Sequence, residues 1–103
     1  MPHISFRPQA RAEIRDARAW YDAQVRGLGR AFIAELDTTL EFLRLHPQMY
    51  ASVTDDGQVR RALLHRFPYS LLYELMTPDE IVILACRHVR QDEINWSSAR
   101  RDV

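Results

Sequence analysis

Lysine is absent from this 103-residue chain, and cysteine occurs once, at Cys86. A lone cysteine excludes a disulfide framework within the chain and suits a reducing compartment, so a cytoplasmic location is expected. Glycine occurs only three times and no segment has a biased composition, which argues against repeats and low-complexity architectures. No apolar run approaches the roughly 20 residues of a membrane span, and the first residues lack a basic-then-apolar leader. Membrane association is therefore not expected. Nor is there a surplus of either charge, since fourteen basic residues balance fourteen acidic ones. A protein built to grip a phosphate backbone usually carries a basic excess, so direct sequence-specific DNA binding by this chain is not expected. His3, His46, His65, His88 and Cys86 lack the paired spacing of a zinc site, so no metal is expected. Without a Gly-rich phosphate loop or a nucleophile elbow, no cofactor is expected either.

What is present describes a small globular domain. Hydrophobic residues make up 47% of the chain, and a chain of this length buries about two thirds of its extended surface without staples. Every basic residue is arginine, for which a bias toward GC-rich codons is a simpler reason than selection for bidentate pairing. Residues 3–6 alternate as a short strand, and Pro8 suits the first turn of a helix. Ala10, Ile14, Ala17, Tyr21 and Val25 form one helical stripe over 8–26, and Gly27 and Gly29 mark a tight reversal. Leu28, Phe32, Leu36, Leu40 and Leu43 form a second stripe over 28–46, ended by Pro47. Strands follow at 59–65, 69–75 and 81–89, with an optional short strand between Met49 and Val53 and a hairpin loop at Thr77–Glu80. The last strand is the most apolar and is expected to be central. The fold class is α+β in the order β-α-α-β-β-β: a helical hairpin packed on a mostly antiparallel sheet of three to five strands, with a tail over 91–103.

The run Ala10, Ile14, Ala17, Trp20-Tyr21, Leu28-Gly29, Phe32, Glu35-Leu36, Leu40, Leu43 and Pro47 resembles the helical hairpin of the RelE/ParE toxin superfamily. Arg60-Arg61, Leu64, Phe67-Pro68-Tyr69 and Tyr73, then Ile83, Ala85, His88, Arg90 and Trp96, resemble its sheet. The resemblance covers about Ile4 to Trp96. It implies one toxin domain over 1–103, the toxin half of a bacterial type II toxin–antitoxin pair, neutralised by a cognate antitoxin encoded beside it. Such an antitoxin resembles a DNA-binding dimer with a tail that wraps the toxin, by a helix laid in a groove and a strand added at a sheet edge.

The superfamily divides into ribosome-dependent mRNA endoribonucleases, RelE-like, and inhibitors of DNA gyrase, ParE-like. Cleavage through a 2′-hydroxyl needs a base, cations around the phosphate and an acid for the leaving oxygen. At positions matched by spacing, Arg61 and Arg90 keep basic residues, whereas Leu63 and Ser70 stand where cations are expected and Trp96 where a tyrosine is. Indole N–H is no general acid near neutral pH. The reading is therefore a ParE-like gyrase inhibitor, with no catalytic set and with Arg61, Arg87, His88, Arg90 and Trp96 as the target surface. Arg100 and Arg101 extend that surface into the tail. Trp20, opposite the apolar stripe of its helix, is a possible antitoxin contact. The alternatives are a nuclease using Arg61, Glu74, His88 and Arg90, and an inactive toxin fold that only binds antitoxin. Strand alternation would put Arg61 and His65, Ser70 and Glu74, and His88 and Arg90 on one face, if the registers agree.

Overall fold

The computed structural model describes residues 2–91 of the chain. Strand β1 (His3–Phe6) leads into helix α1 (Pro8–Gln24), and helix α2 (Leu28–Leu45) returns antiparallel to it. Pro8 occupies the first turn, where its missing N–H costs nothing, and Arg7 enters in an extended conformation. The first helix stops two residues earlier than the stripe predicts. Val25 is extended, sends its N–H back to the Tyr21 carbonyl and is 59% exposed, so it lies outside the buried face. Gly27 takes a left-handed φ of 87°, which turns the chain without the penalty a side chain would bring. Asp22 of α1 then accepts the Gly29 N–H at 2.8 Å, supplying the acceptor that the start of α2 lacks.

The sheet has five strands in the order β1-β5-β4-β3-β2: β2 (Ala51–Ser52), β3 (Val59–Leu63), β4 (Tyr69–Thr77) and β5 (Glu80–His88) complete it. All neighbours are antiparallel except β1, which runs parallel to β5. The middle strand is β4; the apolar β5 lies beside it, covered on its other edge by β1 only as far as Phe6, opposite Ile83. β3 ends at Leu63 and not at His65, whose backbone N–H instead donates to the Glu35 carboxylate of α2 at 3.0 Å. β4 runs on to Thr77 and β5 begins at Glu80, which shortens the connection to Pro78 and Asp79. A 3₁₀ turn, Val89–Gln91, follows β5.

The helices pack on one face of the sheet. Ala10, Ala17, Tyr21, Phe32, Leu36 and Leu43 meet Ala62, Leu64, Phe67, Leu71, Tyr73, Ile81, Ile83 and Cys86 there. At its centre Tyr21 and Phe32 stack at 5.4 Å, and Phe67 stands edge-on to both, at 4.9 and 5.4 Å. The Phe67-Pro68-Tyr69 segment thus serves the core: Phe67 is buried, and the Pro68 carbonyl accepts the Val89 N–H. A second cluster, Val59, Leu72, Leu84 and Ala85, occupies the other face. Arg60 holds the long connection before β3: its Nε donates to the Gly57 carbonyl and its Nη1 to those of Gln48 and Tyr50. Beside it the Tyr73 hydroxyl donates to the Pro47 carbonyl at 2.7 Å.

Candidate functional site

A β-bulge decides which residues meet. In the β4–β5 pairing Leu72 faces Ala85 and Tyr73 faces Ile83, so Leu84 is an extra residue. Plain alternation from Val82, which pairs with Glu74, would send Cys86 and His88 to the face away from the helices. The bulge reverses the phase. Cys86 joins Ile83 in the helix-side core, and His88 pairs with Tyr69 and packs edge-on to its ring at 5.4 Å.

The proposed nuclease set is thereby divided. Arg61 lies opposite Leu72, Glu74 opposite Val59 and Val82, and Ser70 opposite Arg87 and Leu63, all on the face away from the helices. Glu74 and Ser70 are buried there and Arg61 is half-buried. His88 and Arg90 are on the helix side, and His65 is exposed beyond the end of β3. The single face expected for the six residues does not form, because a bulge and an early strand end each change the register.

On the helix side, a cleft of about 660 Å³ is lined by Trp20, Tyr21, Pro68, Tyr69, His88 and Arg90. Trp20 is 57% exposed and meets Tyr21 edge-to-face at 5.1 Å. The His88 Nδ1 accepts the backbone N–H of Arg90 at 3.1 Å, which leaves Nε2 as the protonated nitrogen of the neutral ring. Exposed aromatic surface, an imidazole donor and an exposed guanidinium therefore share one opening. Burial raises the hydroxyl pKa of Tyr69 and of Tyr21, and Cys86 beside them adds to both shifts, so both hydroxyls stay protonated.

Beside the cleft, β5 runs past the end of β1, and α1 covers the edge left open. Glu13 reaches across to accept the Cys86 backbone N–H at 2.9 Å, and its other oxygen pairs with Arg87 at 3.3 Å. Arg87 is thus engaged at the strand edge, whereas Arg90 has no ion pair among the described residues. Burial first, and the Glu13 charge second, push the Cys86 thiol up to about 12, so it is a protonated core group and not a nucleophile. Glu13 and Tyr69 are the two participants that pattern reading misses. Glu13 reads as an ordinary solvated helix residue, and nothing local says that β1 ends early. Trp96, Arg100 and Arg101 lie outside the described residues. Among the described residues no group of three His, Cys, Asp or Glu side chains is placed to hold a metal ion, and no helix is long and apolar enough to cross a membrane.

Comparison with known proteins places this geometry among others. The sequence model of a family described as the ParE toxin of the type II toxin-antitoxin system parDE matches residues 4–93. Among solved structures, a chain of the chromosomal ParDE TA system from P. aeruginosa superposes with a TM-score of 0.70 at 18% identity. That alignment covers 85% of this chain and 96% of the other, and shows a shared fold. No curated protein matches the chain.

Proposed function

This chain belongs to the ParE toxin family, the toxin component of a type II toxin–antitoxin system with a cognate antitoxin as partner, and from that membership we propose that it inhibits DNA gyrase. The target surface is the cleft rimmed by Trp20, Tyr69, His88 and Arg90. Inhibition of this kind needs a surface matched to a protein, not an acid, a base and a phosphate clamp within reach of one bond.

The observation that carries the reading is the division of Arg61 and Glu74 from His88 and Arg90 by the sheet. Groups on opposite faces of one sheet cannot converge on a single 2′-hydroxyl and its phosphate. The cleft supports the reading from the other side, because aromatic and arginine side chains at an opening are the groups that anchor protein interfaces. Trp20, offered from sequence as an antitoxin contact, stands in the same opening as His88 and Arg90. Antitoxin bound over Trp20 would cover the target surface directly.

The test is a pulse induction of this chain alone in bacterial cells, with thymidine and methionine incorporation followed side by side. Early loss of DNA synthesis with protein synthesis intact is the expected result. Early loss of protein synthesis would replace this reading with ribosome-dependent RNA cleavage. Accumulation of soluble chain with neither activity lost would identify a fold that only binds antitoxin.

A further inference from the structure

The cleft rimmed by Trp20 has a polarity of its own. None of its six lining residues is acidic, and two present donors, His88 through Nε2 and Arg90 through its guanidinium. Arg90 is exposed and forms no ion pair among the described residues. A second hollow of about 350 Å³ adjoins the cleft and shares Trp20 and Tyr69 with it. That hollow carries Glu13, Asp16 and Arg87. Glu13 is occupied by Arg87 and by the Cys86 N–H. Asp16 is exposed there, with no ion pair among the described residues.

Asp16 precedes Trp20 by one turn of α1, about 6 Å along the helix axis. The two hollows therefore form a strip with an exposed carboxylate at one end and an imidazole donor and an exposed guanidinium at the other. The exposed indole of Trp20 and the ring of Tyr69 lie between. A guanidinium beside a second donor suits an oxyanion, which it grips through two parallel N–H bonds. A nucleic-acid strand with one phosphate at Arg90 brings further phosphates along its length, and on the α1 side these meet Asp16. Like charges at that end repel. A polypeptide segment can place a different sign at each end and apolar groups between, and Trp, Tyr and Arg are the residues on which protein interfaces concentrate their binding energy.

We propose that the segment of DNA gyrase seated in this cleft is bipolar: an Asp or Glu carboxylate bound by Arg90 and the His88 Nε2, an apolar or aromatic side chain against Trp20 and Tyr69, and an Arg or Lys reaching Asp16. The inference rests on the gyrase reading given above and supplies the chemistry of the surface met there. The Arg90 backbone N–H on Nδ1 holds His88 in the tautomer whose Nε2 donates, so the donor is in place before the partner arrives. The carboxylate pair at Arg90 loses its water on docking and acts mainly on dissociation. The Asp16 end stays at the rim and acts mainly on the encounter and its salt dependence.

The test measures binding of the full chain to purified gyrase in the absence of DNA, and inhibition of supercoiling in its presence. It compares the wild type with Arg90→Glu and, at the other end of the strip, with Asp16→Arg. Both positions are exposed, so circular dichroism and thermal unfolding should match the wild type. The expected result is that Arg90→Glu weakens binding and inhibition about tenfold or more and that Asp16→Arg weakens both by a smaller factor, chiefly at low salt. Wild-type potency in both variants would overturn the inference and leave the gyrase reading standing. Weakening by Arg90→Glu with strengthening by Asp16→Arg would make a polyanion, the phosphates of the gyrase-bound DNA, the occupant and overturn it equally. A wild-type chain that neither binds nor inhibits gyrase would remove the gyrase reading, and this inference with it.

Discussion

Glu13 is a single carboxylate that closes two gaps, the Cys86 N–H left where β1 stops and the Arg87 guanidinium beside it. A buried N–H left without an acceptor costs about 1–3 kcal/mol. Glu13→Ala should therefore lower Tm by several degrees, given about 4–8 °C per kcal/mol for a domain of this size, whereas Glu13→Gln keeps an acceptor and should lose much less. Differential scanning calorimetry distinguishes the two. Cys86 supplies a pH test. Its thiol pKa is near 9 in the open chain and is pushed up to about 12 in the fold, so above pH 9 the unfolded state releases a proton that the native state keeps. Its contribution is present in full below pH 9 and is lost between there and about 12. Denaturant titrations should show stability falling from about pH 9 in the wild type. In Cys86→Ala the fall should begin nearer 10, where the buried tyrosines take over. In the same way, native chain at pH 8 should resist thiol alkylation and react on unfolding.

At the scale of elements, the hairpin corner depends on two glycines for different reasons. Gly27 holds a φ of 87° with open space around it, so Gly27→Ala should cost about 1 kcal/mol from backbone strain alone. Gly29 has an ordinary φ but no room: a Cβ there would lie 2.6 Å from the Arg18 carbonyl oxygen and from the Asp22 carboxylate. Gly29→Ala must part the helices and disturb the Asp22 cap, and overpacking of that kind costs about 1–3 kcal/mol. Thermal unfolding should rank Gly29→Ala below Gly27→Ala. Both helices and the three long strands were legible in the sequence, the helices because their apolar residues recur at a period of 3.6 and the strands because they are short runs rich in apolar residues bounded by turn residues. The bulge at Leu84 was not legible. No glycine marks it in the run Ile81 to Val89, and it arises from pairing with a strand whose register is set elsewhere. One unmarked residue moves His88 from the side of Glu74 to the side of Trp20, so the elements could be read while the grouping of site residues could not. Arg60 shows the same limit: beside Arg61 it looks like one basic patch, yet the two face opposite sides of the sheet, and Arg60 is bound to three backbone carbonyls.

For the whole molecule, the balanced charge conceals an uneven surface. Arg11, Arg15, Arg18, Arg26 and Arg30 line hollows along the helical hairpin with only Asp22 and Asp37 among them, and the acidic remainder cancels them in the total, so composition could not reveal this unevenness. Truncation in the cleft, Trp20→Ala with Arg90→Ala, should weaken growth arrest itself, with antitoxin-free induction as the readout. Both side chains are exposed, so the change should not alter the fold. The most direct test of the central claim uses purified chain, relaxed plasmid, ATP and DNA gyrase. Supercoiling that falls as the chain is added, with linear DNA released by denaturation of the complex, is the result predicted. Full supercoiling at every chain concentration, together with cutting of mRNA on translating ribosomes by the same preparation, would contradict it.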